Sequence, residues 1–175
     1  QIEFMKECQK KIKNILAICW GMQVAVTAAG GVVNRGKNGA HRGIAHEIVI
    51  NSDGLNHPIY KDKNKIFNTP AFNYDEVVTL PKDAILLSSN KVNNVMALNF
   101  ETEFSKIWGI QYHPEITYEK MITLIRFRRE RLLENKSFSD EKDLESHISM
   151  IEKEDKITKK ESRMRELKNW LDLIA

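Results

Sequence analysis

Two short segments carry residue types that could do covalent chemistry. The first is Ile18-Cys19-Trp20-Gly21-Met22-Gln23, where an apolar run ends at a thiol and a helix-forming stretch begins. A side chain at a sharp strand-to-helix turn is presented at the head of a sheet, as in a nucleophile elbow. Ala17 and Gly21 flank Cys19 and are small enough to let such a turn tighten. The helix start would also offer unpaired backbone N–H groups to a thiolate. Taken alone, Cys19 reads equally well as a small buried apolar residue. The second segment is Gly109-Ile110-Gln111-Tyr112-His113-Pro114-Glu115. His113 closes an apolar run, and Pro114 biases it towards an extended backbone. In an extended chain, residues two apart point the same way, so Glu115 falls beside His113. Glu115 could then accept a hydrogen bond from one ring nitrogen and leave the other for a nucleophile, the logic of a Cys–His–carboxylate triad. A histidine beside a solvated glutamate is the blander reading of that segment by itself. Two such segments, each closing a buried strand, favour the chemical one.

These groups need a scaffold. Ile2, Met5, Cys8, Gln9 and Ile12 have the spacing of a helix over 2–13. Ile15-Leu16-Ala17-Ile18-Cys19 reads as a buried strand, and 20–29 as a helix that Gly30-Gly31 can stop. That order predicts an α/β fold, with helices on both faces of a sheet. Further strands are expected at Ala45–Ile50, Val77–Leu80, Ala84–Ser88, Asn94–Asn99 and Ile107–His113. Turn residues crowd between them, so a small antiparallel section is expected within a mainly parallel sheet. All 8 glycines and all 4 prolines lie at or before Pro114. Beyond that point the charged, Gly-free sequence predicts helices over 117–135, 140–155 and 159–174, the last opened by a Thr158–Glu161 capping box. The expected division is 1–135 for the α/β domain and 136–175 for a helical C-terminal extension.

Composition excludes several classes. The chain has 175 residues, 42% hydrophobic and 29% charged, the balance of a globular protein able to bury a core without disulfides or a structural metal. A net charge of +3 does not argue for nucleic acid. No apolar run is long enough to span a membrane, and Gln1-Ile2-Glu3-Phe4 does not open like a signal peptide. Two cysteines, Cys8 and Cys19, make no disulfide framework, which points to a reducing cytoplasm. Cys8 lies on the apolar stripe of the first helix and reads as core. His46-Glu47 is not followed by a second histidine one turn on, and His41, His57 and His147 lack ligand spacing, so no metal is expected. No Gly-rich loop matches a phosphate-binding or dinucleotide fingerprint. Arg126, Arg128, Arg129 and Arg131 alternate with Glu130 and read as a solvated helix face.

Ile18–Gln23 together with Gly109–Glu115 closely resembles class I (triad-type) glutamine amidotransferase domains. The resemblance covers roughly residues 1–125 and takes in Gly30-Gly31 and the stretch Asp75-Glu76-Val77…Leu80-Pro81. It implies a flavodoxin-like α/β domain with Cys19 as nucleophile, His113 as acid/base and Glu115 as orienting carboxylate. Gln23 would help hold the substrate glutamine, Tyr74 and Asp75 would line its pocket, and the Trp20 N–H would serve an oxyanion hole. Glutamine would be hydrolysed to glutamate and ammonia through a γ-glutamyl thioester, with no cofactor for this half. The ammonia would pass to a partner synthase or ligase. The sequence departs from the family at Ala17, where glycine is usual, and at Phe72-Asn73-Tyr74-Asp75, where Ser-His-Gly-Asp is usual. Family members also carry a further N-terminal segment that donates one oxyanion N–H. A chain without it is expected to lose about 10²–10³ in rate. Two other readings stand beside the first. One is a γ-glutamyl hydrolase that releases the amine of γ-glutamyl amides. The other is a non-catalytic partner-binding module.

The resemblance does not account for 136–175. Its two helices carry narrow apolar stripes, Leu144, Ile148 and Ile151 on one, Met164, Leu167, Leu171 and Ile174 on the other, with Trp170 alongside. Such stripes either pack on their own domain or dock a partner synthase or a second copy of the chain as a homodimer.

Overall fold

In the computed structural model, which describes residues 1–175, the chain opens with helix Ile2–Lys11 (α1), strand Asn14–Ile18 (β1) and helix Trp20–Ala28 (α2). Gly30, at φ 85°, ends α2. Its N–H donates to Thr27 O and that of Gly31 to Val26 O, the paired bonds of a Schellman closure that needs a left-handed residue. Strands Val32–Arg35 (β2), His41–Arg42 (β3) and Ala45–Ile50 (β4) follow, then the short helix Ser52–Leu55 (α3) and a 3₁₀ turn at Pro58–Tyr60. Next come Ile66–Thr69 (β5), Phe72–Asn73 (β6), Asp75–Thr79 (β7), Ile85–Ser89 (β8), Ala97–Glu101 (β9) and Lys106–Ile110 (β10). The rest is helical: Tyr118–Phe127 (α4), Arg129–Glu134 (α5), Glu141–Ile157 (α6), Lys160–Arg163 (α7) and Arg165–Ile174 (α8).

The main sheet has six strands in the order β1-β10-β9-β8-β4-β5. The chain forms the expected α/β fold with flanking helices and a helical tail, but the parallel share of the sheet is smaller than expected. Only β1 and β10 run parallel, paired from Asn14–Lys106 to Ile18–Ile110. The other four junctions are antiparallel. The loops joining β8 to β9 and β9 to β10 are short, and a short connection can only reverse the chain. A parallel neighbour needs a long crossover, which lies between β1 and β10. Two small antiparallel ribbons, β2–β7 and β3–β6, stand apart from this sheet.

Side chains along β1 alternate between two cores. Ile15 and Ala17 pack with Met22, Ala25 and Val26 of α2, whereas Leu16 and Ile18 pack on the face holding Ile48, Ile50, Trp108 and Tyr112. Gly109 lets α2 press onto β10, since a Cβ there would sit 2.6 Å from Met22 Cγ. A third core joins the tail to the domain: Leu144, Ile148 and Ile151 of α6 pack with Ile44, Tyr118, Ile125 and Leu132.

The final helix departs from its apolar stripe. α8 turns Glu166 and Asn169 inward and leaves Leu171 and Ile174 exposed, because buried polar partners rather than apolar area anchor it. Trp170 packs edge-on against Trp108 of its own sheet. The Thr158–Glu161 capping box does not form. Thr158 Oγ1 donates to Glu154 instead, and α7 starts without a side-chain cap. No helix is long and apolar enough to cross a membrane.

Candidate functional site

Cys19 caps α2 at φ 51° and ψ −110°, a conformation that costs a non-glycine residue on the order of 1–3 kcal/mol and clusters at functional sites. It is held there by its N–H on Ile110 O at 2.7 Å, which extends the β1–β10 ladder by one residue, and by Gln23 N–H on its own carbonyl. A Cβ at Gly21 would meet nothing within 4 Å, so the turn does not require glycine there. Trp20 is the first residue of α2, half exposed, and its N–H has no intrahelical partner.

β10 ends at Ile110, earlier than the expected His113, and the chain bends through Gln111 and Tyr112. His113 therefore stands in a loop, with its N–H on Pro70 O at 2.8 Å. Its Nδ1 lies 2.7 Å from Glu115 Oε1, and the ring stands near the Cys19 sulfur, whose thiol donates to Phe72 O at 3.9 Å. Burial pushes the ring towards neutrality. Interaction with the neighbouring Cys19 sulfur and the Glu115 carboxylate outweighs this and raises the imidazolium to about 9.

Gln111 is fully buried between the two segments. Its Nε2 donates to Cys19 Sγ at 3.5 Å, while its Oε1 accepts from Gln23 Nε2 at 3.1 Å. Gln23 Nε2 also donates to Asp75 O at 2.9 Å. An amide chain thus runs from the β7 backbone to the sulfur. Asn73 braces the same strand: its Nδ2 donates to Asp75 O, and its Oδ1 lies 2.8 Å from Nδ1 of the buried His41 ring. Burial holds His41 below the usual histidine range, so it is a neutral strut.

A cleft of about 310 Å³ opens beside the sulfur. Cys19, Trp20 and Gln23 form one wall, Phe72–Asp75 a second, and Arg128, Arg131, Leu132 and Asn135 a third, with Arg35 at the mouth. Tyr74 is fixed by a hydrogen bond to Ser137 Oγ and by the Arg35 guanidinium stacked 4.3 Å over its ring. His113 and Glu115 are not part of this lining. No three His, Cys, Asp or Glu side chains converge to hold a metal ion.

Sequence reasoning missed four of these residues. Gln111 could have been found, since it alternates with His113 and Glu115 along one segment. The arginine cluster is not one solvated face. Arg126 pairs with Glu145 and Arg129 with Glu141, whereas Arg128 and Arg131 turn into the cleft, Arg128 5.2 Å over the Phe72 ring. Arg35 gave no signal, being distant in sequence from both motifs.

The chain is similar to several known proteins. Over the whole chain, 29% of residues are identical to the gamma-glutamyl-L-1-hydroxyisopropylamide hydrolase of a Pseudomonas species, of which the chain spans 65%. Over 61% of the chain, 32% are identical to a glutamine-hydrolyzing GMP synthase subunit from Methanosarcina acetivorans, of which it spans 52%. The chain thus spans about half to two thirds of the length of these relatives. The crystal structure of a glutamine amidotransferase from Thermotoga maritima shares the fold, with a TM-score of 0.73 over 99% of this chain and 67% of that one at 21% identity. Residues 1–129 match the glutamine amidotransferase class-I family, a stretch that holds both the Cys19 turn and the His113 loop; the chain belongs to that family.

Proposed function

We propose that the protein cleaves γ-glutamyl amide bonds through Cys19, His113 and Glu115, with glutamine as the simplest substrate. One observation carries this reading: a cysteine strained into a strand-to-helix turn, beside an open cleft, stands near a histidine whose Nδ1 lies on a carboxylate. The Cys19 thiolate attacks the side-chain carboxamide carbon. Backbone N–H groups at the start of α2, Trp20's among them, take up the oxyanion. His113, as imidazolium, protonates the departing nitrogen, because an amide anion is too poor a leaving group. The amine leaves and a γ-glutamyl thioester remains. Water, deprotonated by His113, then releases glutamate and restores the thiol. Glu115 keeps the ring oriented, and Gln111 steadies the sulfur. Gln23, Tyr74 and Asp75 shape the glutamyl pocket, and Arg35, Arg128 and Arg131 give it the positive charge that suits a carboxylate. The chemistry needs no cofactor, and it suits a reducing cytoplasm in which Cys8 and Cys19 stay free.

Two fates of the amine divide the readings. In amidotransfer, ammonia passes to a partner synthase, as the similarity to a GMP synthase component suggests. In simple hydrolysis, the amine of a γ-glutamyl amide is set free. The second reading has an observation of its own: the Pseudomonas hydrolase aligns along the entire chain, tail included, whereas the Methanosarcina protein aligns over 61% of it. Assaying the full-length protein on glutamine and on a γ-glutamyl alkylamide separates them. Comparable or faster cleavage of the alkylamide supports hydrolysis. Cleavage of glutamine alone, accelerated by an added synthase, supports amidotransfer. Glutamate release that survives Cys19→Ala overturns both.

A further inference from the structure

The family-matched region ends at residue 129, yet the back of the His113 loop is held by side chains from beyond it. Three polar residues of the tail point inward: Arg163, Glu166 and Asn169, all buried. Arg163 Nη1 donates to Pro114 O and, at 2.9 Å, to Ile116 O. Glu166 Oε1 accepts from Tyr112 Oη at 2.7 Å, and its Oε2 accepts from Lys63 Nζ at 3.0 Å. Tyr112 Oη also bonds to Tyr60 Oη, which bonds in turn to Ser88 Oγ. The tail therefore grips Tyr112, Pro114 and Ile116, the residues that alternate with His113 and Glu115. The loop's other anchors are the Gln111 N–H on Met96 O, the His113 N–H on Pro70 O and the Tyr112 ring in the core, none of which holds the segment 114–116. It lies beyond the end of β10, outside the sheet ladder, and Pro114 has no N–H to give.

We propose that Arg163 and Glu166 are positioning residues: through Pro114, Ile116 and Tyr112 they set where the His113 ring stands relative to the Cys19 sulfur. The inference rests on the functional reading above and deepens it, because it makes the C-terminal helices part of the geometry that the reaction uses. A buried guanidinium spent on two loop carbonyls does little for the hydrophobic core. It does fix both flanks of Glu115, and Glu115 orients the ring. A displacement of about 1 Å between reacting groups is enough to cost about 10²-fold in rate.

The test compares Arg163→Ala, Arg163→Lys and Tyr112→Phe in the full-length protein, with Cys19→Ala as control. Folding is followed by thermal unfolding, turnover by kcat and KM for glutamate release, and the acid group by the basic limb of the pH profile. Arg163→Ala is expected to lower kcat by about 10-fold or more while KM stays within about 3-fold. Its basic limb should move to lower pH, because a ring displaced from Cys19 and Glu115 loses the contacts that favour its charged form. Arg163→Lys, which can still donate to one carbonyl, should recover part of kcat. Tyr112→Phe, which removes only the hydroxyl, should change both quantities in the same direction by less. A folded Arg163→Ala with unchanged kcat and limb overturns the proposal. If that variant does not fold, an unchanged kcat and limb in both Arg163→Lys and Tyr112→Phe overturn it. Activity that persists in Cys19→Ala strikes instead at the functional reading itself.

Discussion

The side-chain amide of Gln111, fully buried, donates to the Cys19 sulfur at 3.5 Å while its oxygen accepts from Gln23. A single residue therefore ties the thiol to the helix turn that follows it. Replacing Gln111 with Leu removes a hydrogen bond worth about 1.5–3 kcal/mol when its acceptor is charged, or roughly 10–150-fold in rate. Steady-state kinetics of Gln111→Leu should show a loss in that range in kcat. A loss below about threefold would mean that the amide only fills space.

In the proposed mechanism, the pH dependence of turnover follows from His113. Its ring is held up to about 9 by Cys19 and Glu115 against the effect of burial. The step that protonates the leaving nitrogen needs the imidazolium, so activity should persist to about pH 9 and fall above it. Glu115→Gln removes one of the groups that favour the charged ring, so the basic limb should move down in pH and kcat should fall moderately. His113→Asn should remove nearly all turnover. A limb that ignores Glu115→Gln would separate this carboxylate from the acid group.

The two halves of the arginine cluster should behave differently. Arg128→Ala and Arg131→Ala remove cations from the cleft wall and should raise KM several-fold with a smaller change in kcat. Arg129→Ala breaks an exposed pair with Glu141, worth about 0–1 kcal/mol, and should leave both constants near their original values. Equal effects from Arg128 and Arg129 would show that general surface charge, not the cleft, governs binding.

Removal of residues 139–175 should unfold the protein rather than merely weaken an assembly. Leu144, Ile148 and Ile151 leave a shared core with Tyr118 and Ile125, and Lys63 loses Glu166. The smaller change Glu166→Ala strands a buried Lys63 and should cost about 3–5 kcal/mol in urea unfolding. A truncated protein that unfolds cooperatively at an undiminished midpoint would overturn this account of the tail.

Much of the site's framework was legible because it rests on local pattern. The apolar run Ile15–Ile18 and the two motifs predict a strand, a helix start and two reactive side chains at one sheet end. What could not be read depends on long-range pairing. The strands β2, β3, β5 and β6 are short or polar and form only because ribbons and sheet edges meet them. The α8 stripe misled because a buried Glu166, paired with Lys63 and Tyr112, outweighs exposed Leu171. Nothing near Arg163 in sequence announces two carbonyls of a loop contributed by a distant segment.

The most direct measurement is the mass-spectrometric mapping of a glutamine-analogue electrophile on the full-length protein, followed in parallel with glutamate release. The account predicts stoichiometric modification of Cys19, none of Cys8, and loss of activity in proportion to labelling. Modification of Cys8 instead, or full glutamate release from protein labelled at Cys19, would contradict it.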